Sequence, residues 1–279
     1  MKPNQRIRYS RRYRAELNKF TSLYLEDINR ALLVPVKRFA GTLESDGMET
    51  ARRQLALTFM NTKMGEVLTD LHKDAGVYFA NKKYGEIERS VPRVSKAANF
   101  GLNDVWIARI EQYLQRYLLS KAVLPIYATT YDFILEVLKK AEQEGWTIER
   151  IARELQSDTI LLWKARQIAV TELTKADNNS LQMAIDETPY QTNKEWISAH
   201  DHRRRHSHRE VDGKIIPAKE KFQVNRYRGK KLVGVDFMDG PGDPEASPEN
   251  VIHCRCTAAI VAATDENDNV ILKSNRRAS

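Results

Sequence analysis

Apolar residues recur every three or four positions through the first two thirds of the chain, and that rhythm then stops. Leu17, Phe20, Leu23, Tyr24 and Ile28 mark one face of a first helix. Residues 49–89 continue the pattern with Leu55, Leu57, Phe59, Met60, Met64 and Leu68, and Gly76 and Gly85 are expected as weak points or ends. Residues 103–144 carry Trp106, Ile107, Ile110, Tyr113, Leu114 and Tyr117, then Ile126, Tyr131, Ile134, Leu135 and Val137. Pro125 has no amide proton and should kink or divide this stretch, and Gly145 should end it. A short helix over residues 147–155 follows. Ser157 or Asp158 then reads as the N-cap of a long helix to about Asp186, with Pro189 just beyond. These stripes read as helix-packing faces, not as a cofactor site.

From about residue 190 the chain breaks into short runs and turns. Residues 195–199, 214–217, 222–224 and 232–235 are strand-like, Asp212-Gly213 is a turn signal, and residues 251–261 read as a final strand. The expected fold is α+β: a long-helix N-terminal part, then a small C-terminal domain with a short antiparallel sheet and long loops. The expected boundaries are a helical docking region over 1–144, a C-terminal domain over 145–265, and a mobile polar tail over 266–279 with Lys273, Arg276 and Arg277.

The formal net charge of +8 favours anionic partners, nucleic acid first among them, although 37 acidic residues also fit a well-solvated helical surface. No run of about 18 apolar residues occurs, so no membrane span is expected. The basic start (Lys2, Arg6, Arg8, Arg11 and Arg12) runs into polar residues, not the apolar stretch of a signal peptide. Cys254 and Cys256 are too close for an easy disulfide, which points to a reducing compartment.

Five of the six histidines lie between residues 200 and 253, and both cysteines follow the last of them. Two readings compete. His206 with His208, and Cys254 with Cys256, are spaced so that on paired strands each pair would share a face, and together they would form a tetrahedral zinc site. Alternatively, these residues form a buried polar network, with the thiols packed as small hydrophobes. Asp201-His202-Arg203-Arg204-Arg205-His206-Ser207-His208-Arg209 is densely basic. It would either engage phosphates or be neutralised by Asp201, Glu210 and an acidic stretch of Asp236, Asp239, Asp243 and Glu245. No P-loop, Gly-x-Ser-x-Gly elbow or His-Glu-x-x-His occurs.

In order along the chain come Ala165-Arg166, Ala169-Val170-Thr171-Glu172-Leu173, Asn178 or Asn179, and Lys194-Glu195-Trp196. The Asp201–His208 run and Asp212-Gly213 follow, then Phe222-Gln223-Val224, Pro241-Gly242-Asp243-Pro244 and Glu249-Asn250-Val251-Ile252-His253-Cys254-Arg255-Cys256. This ordered set, over about residues 145–262, resembles the C-terminal domain of phage Mu F-like minor head proteins. Thr171, Glu172, Trp196, Asp201, Arg203, Arg205, His208, Asp212, Gly213, Asn250, Cys254, Arg255 and Cys256 are the positions that carry it. Three positions depart from the family pattern. His253 stands where asparagine is common, Val170 where an arginine often precedes Thr-Glu, and Arg204 where a threonine is common.

The resemblance implies a minor structural protein of a tailed-phage head, present in the virion and in the host cytoplasm during assembly. Its implied partners are the portal protein, the capsid and, without sequence preference, packaged DNA. It implies no catalytic residue and no cofactor, zinc being the candidate exception. Glu172 is expected to pair with Arg203 or Arg205. The competing function is a phage-borne or toxin-like nuclease, with His206 or His208 as general acid or base and Arg203 or Arg205 on the phosphorane.

Overall fold

In the computed structural model of the chain, residues 1–59, 62–91 and 102–273 are described. They begin with helix α1 (Pro3–Gln54), broken at Gly47, which takes φ +81°. A 3₁₀ turn (Leu55–Phe59) follows, then α2 (Met64–Ser90) and α3 (Leu102–Tyr117). A π-helical segment (Leu118–Val123) leads into α4 (Leu124–Glu144), with α5 (Ile148–Leu155) and α6 (Asp158–Glu187) after it. Five strands and two short helices complete the order: β1 (Thr192–Ile197), α7 (His206–Glu210), β2 (Ile215–Pro217), β3 (Phe222–Arg228), β4 (Lys231–Met238), α8 (Pro248–Val251) and β5 (Thr257–Ala262). The fold is α+β, as the sequence implies.

Local chemistry explains most helix ends. Pro125 follows directly on the π-helical segment, where the hydrogen bonding of the long apolar stretch changes pattern. Gly145 closes α4 in the left-handed conformation, φ +64°. Thr147 caps α5 by accepting a hydrogen bond from the Arg150 amide. Gly76 and Gly85, by contrast, lie inside α2 and do not end it. A Cβ at Gly76 would come within 2.7 Å of the Ile110 side chain, so this glycine serves close helix packing. Leu23 also departs from the expected stripe, being exposed. Met60, Arg276 and Arg277 lie outside the described residues, as does the side chain of Asp158.

The chain divides into two compact units along lines that differ from the expected 1–144 and 145–265. One unit comprises Thr21–Asp70 and Tyr113–Ala169. Its helical core joins Val36, Phe39 and Leu43 to Ile134, Leu138, Ile151 and Leu155. The other comprises Met1–Phe20, Leu71–Gln112 and Val170–Ser279. It draws on three separated stretches because the C-terminal strands cannot bury their apolar faces alone.

In the second unit β1 is the centre of an antiparallel sheet ordered β2-β1-β5, with Lys194 opposite Ile216 and Ile260. A separate hairpin pairs β3 with β4, in register from Phe222 opposite Met238. Phe222, Val224 and Met238 pack with Trp196, Val211, Val251 and both cysteines. A further cluster joins Ile87 of α2 to Leu181 and Ile185 of α6 and Ile260 of β5. The expected final strand over 251–261 is shorter: residues 248–251 form a helical turn, and the strand begins only at Thr257. The start of the expected tail also packs back. Thr264 bridges Val270, Leu272 bridges Tyr190, and the Lys273 ammonium donates to the Asp186 carbonyl at 3.0 Å.

Gly242 sits at φ +82°, and a Cβ there would lie 2.5 Å from the Thr174 carbonyl oxygen. Gly145 is also left-handed but faces open space. Gly242→Ala is therefore expected to cost about 2–4 kcal/mol and Gly145→Ala about 1 kcal/mol. Thermal unfolding of the two variants side by side checks this, and equal losses would show that the Thr174 contact is unimportant.

Candidate functional site

The site is built around the middle of α6. From Val170 to Asn178 this helix is buried on every side, although six of those residues are polar or charged. Burial of this kind requires partners. Glu172 meets His72 at 3.1 Å and the Lys175 ammonium at 2.9 Å. Asp177 accepts a hydrogen bond from the Thr257 hydroxyl at 2.6 Å and pairs with Lys83 at 3.3 Å. The Thr174 hydroxyl donates to the Cys254 carbonyl at 2.7 Å, and Thr171 accepts from the His253 amide at 2.8 Å.

Thr171 lies against the turn that precedes Cys-Arg-Cys. Glu172 does not reach Arg203 or Arg205, because its side chain points to α2 and back along its own helix. His72, Lys83 and Asp177 are parts of this buried network that sequence reasoning missed. His72 and Lys83 sit in an ordinary-looking amphipathic helix, and nothing near them in sequence marks their partners.

Residues 198–213 wrap over the other side of the segment. Asp201 receives a two-pronged hydrogen bond from the Arg255 guanidinium, with one arm at 3.1 Å, and also pairs with Arg14 at 3.2 Å. Burial works to raise the Asp201 carboxyl, but its bonds to Arg255, with Arg14 and the Arg203 amide, outweigh this and hold it below its ordinary value. Asp212 accepts from the Ser198 amide at 2.8 Å and faces His200 at 3.2 Å and Arg204 at 3.7 Å. Gly213, at φ +79° in the left-handed region, lies beneath the Arg6 guanidinium. Arg205 donates to the Ile252 carbonyl, while Arg203 stays exposed.

Within the basic run Arg204 faces Asp212 and His206 faces Glu210, whereas Asp201 is taken up by Arg14 and Arg255 from outside it. The acidic loop serves itself. Asp243 accepts from the Asp239 and Glu245 amides, and Asp236 accepts from Ser247 and Asn250. Asn250 also accepts from the Ser207 hydroxyl at 3.0 Å, joining α8 to α7.

His208, Cys254 and Cys256 converge in the interior. The Nδ1 atom of His208 lies 3.7 Å from the Cys254 sulfur and 3.3 Å from the Cys256 sulfur. All three ligand atoms fall within 4.8 Å of one another. His208 stands edge-on to Trp196, ring centroids 5.3 Å apart. The Cys254 thiol is drawn well below its ordinary value, chiefly by the hydrogen bond from Cys256, with His208 adding to this against burial. Burial, then the Cys254 sulfur, pushes Cys256 well above its own.

His206 is not part of the cluster. It lies on helix α7, where residues two apart point in different directions, and its exposed ring pairs with Glu210 at 3.2 Å. The four-residue ligand set expected from paired strands is corrected to three. Neither pair of candidates lies on a strand, since β5 starts after Cys256.

The backbone also explains one departure from the family pattern. His253 takes φ +55°, in the left-handed region. Asparagine and histidine both enter that region more readily than most residues, so either suits this turn.

Residues 132–259 match the family model described as Phage Mu protein F like protein. This segment is Mu protein F-like. The match supports a phage head-related protein, and within the Mu F-like segment lie all the motif positions carried from the sequence. A curated relative, the NAD(+)--arginine ADP-ribosyltransferase EFV of Enterococcus faecalis (strain ATCC 700802 / V583), is 28% identical over 124 residues. The aligned stretch is 42% of this chain and 23% of that enzyme, so the chain spans about a quarter of the relative's length. No solved structure matches. Among the described residues, no helix is long and apolar enough to cross a membrane.

Two measurements test the electrostatics. Asp201→Asn should cost about 1–3 kcal/mol by leaving Arg255 and Arg14 without their carboxylate. Because the folded-state pKa of Asp201 is depressed, its contribution is complete above about pH 4 and is lost as pH falls through that lower value. A difference between wild type and variant that persisted unchanged at pH 2 would refute the pairing.

Lys194, wholly buried in β1, has no hydrogen-bond partner for its ammonium, which stands 5.6 Å from the Phe222 ring centroid. Burial lowers its pKa to about 8, against the opposing pull of Asp239 and Asp243. Below that pH both folded and unfolded chains carry the proton and the full cost of burying it is present. Between about 8 and about 10.4 the unfolded chain holds more protons, so stability rises with pH. Lys194→Met is expected to stabilise by about 1–3 kcal/mol at neutral pH, with the gain shrinking toward pH 10. Urea unfolding at the two pH values reads this directly.

Proposed function

We propose that the chain is a minor structural protein of a tailed-phage head, associated with the portal or the capsid shell and acting in head assembly, DNA packaging or DNA delivery. The observation that carries this reading is the Mu F-like match over residues 132–259, joined to the state of the motif residues. Thr171, Glu172, Trp196, His208, Asn250, Cys254 and Cys256 are all buried. Asp201, Arg205 and Arg255 are committed to partners within the chain. These residues build a cross-linked unit, and their chemistry is spent on the fold.

The nuclease reading is weaker on the same grounds. A general acid or base must touch its substrate. His208 is only 1% exposed and faces two sulfurs, so it is out of reach of a phosphodiester. His206 is exposed, and its ring is engaged by Glu210 and Tyr227. The arginine-modifying chemistry named for the enterococcal relative is that enzyme's, and the shared stretch is under a quarter of its length.

The exposed cations Arg203 and Arg209, with the net charge of +8, support contact with packaged DNA without sequence preference. Such binding should weaken steeply as salt rises. The deciding experiment is mass spectrometry of gradient-purified heads from the source phage, with this chain counted against the portal protein. A fixed ratio well below that of the major capsid protein is the expected result. Absence of the chain from clean heads would overturn the virion role.

A further inference from the structure

We propose that His208, Cys254 and Cys256 hold a zinc ion through Nδ1 and the two sulfurs, and that this ion is a structural part of the C-terminal domain.

The distances are those of a metal site. With Zn–S near 2.3 Å and Zn–N near 2.0–2.1 Å, tetrahedral ligand atoms sit about 3.6 Å apart for nitrogen and sulfur. The two observed separations, 3.3 and 3.7 Å, bracket that value. The residues come from two different turns, α7 and the segment after α8, and both turns are fixed independently of any ion. Ser207, beside His208, and Asn250, four residues before Cys254, hydrogen-bond to one another. The Cys256 amide points at the Cys254 sulfur at 3.5 Å, the kind of support a metal-bound thiolate receives.

Hydrogen bonding alone leaves this cluster poorly explained. A thiol is a weak donor and a weak acceptor, yet it is all that Nδ1 of a fully buried imidazole faces. The other ring nitrogen, Nε2, is buried with no partner. A histidine placed here only for packing would do better as an apolar residue.

Charge also fits. Two thiolates and a neutral imidazole around Zn²⁺ make a neutral centre, as required among Trp196, Phe222, Val211 and Val251. Binding releases one proton from each cysteine to solvent, and no redox step is involved. The remaining coordination position is left for a small ligand such as water. Because the three ligands are 1–2% exposed, the ion enters as the domain folds. The inference is independent of the virion role and holds or fails by itself.

The test uses the full chain, purified without chelator from zinc-supplemented cells, with metals counted by mass spectrometry. About one zinc per chain is expected. Refolding from denaturant with zinc should give a melting temperature at least about 5 °C above refolding with a chelator. Replacement by cobalt should give the visible and thiolate charge-transfer bands of tetrahedral sulfur ligation. His206→Gln should keep the full zinc content, and Cys256→Ser should lose it. If Cys256→Ser fails to fold, the wild-type metal count and the refolding comparison still decide. Wild type holding below about a tenth of a zinc per chain after refolding with the metal would overturn the proposal. So would stoichiometric copper in place of zinc, or a Cys254–Cys256 disulfide in the native chain.

Discussion

The C-terminal unit depends on a helix that is buried on all sides while carrying charge. Glu172, Lys175 and Asp177 lie in the stretch of α6 from Val170 to Asn178, where no side chain reaches water freely. An isolated buried charge is costly, and each of these groups is met by a partner. Glu172 requires His72, Asp177 requires Lys83 and Thr257, and Thr171 and Thr174 fix the backbone on either side of His253. Strands, turns and the second helix are thereby located relative to one element. A purely apolar helix would bury as well but would allow several packings of similar energy.

Around that helix, the loops are tied by carboxylates. Asp201, Asp212, Asp236 and Asp243 each accept from more than one donor, and each closes a turn. This explains how a region with so little sheet keeps a definite shape. The same set also takes up Arg204 of the basic run, through Asp212. What stays exposed is the residue set between the tied positions: His202, Arg203, His206 and Arg209.

Much of this was legible in the sequence, and the failures have physical causes. Helical period, Gly145, Thr147 and Pro125 placed the helices because caps and breakers act locally. Gly76 misled because a glycine that admits a neighbouring helix looks the same as one that ends its own. The clustering of His208 with Cys254 and Cys256 was visible as composition. Its geometry was not, because α7 and the turn after α8 are too short to leave a periodic signature. Reading them as strands brought in His206 wrongly. The partners of Glu172 and Asp177 were invisible, since pairing across about a hundred residues leaves no mark on either side.

That separation along the chain bears on the order of synthesis. The polar groups of α6 emerge from the ribosome after His72 and Lys83 but well before Thr257 and Cys254. Lys83 and Thr257, which hydrogen-bond at 2.9 Å, are 174 residues apart. Until the last strand has been made, Asp177 lacks its hydroxyl partner and the Thr174 side chain lacks its carbonyl. Contacts this remote are slow to form, because a long loop must close before they contribute. The nascent C-terminal unit must therefore wait, with a charged helix still in water, for the final few dozen residues of its strands.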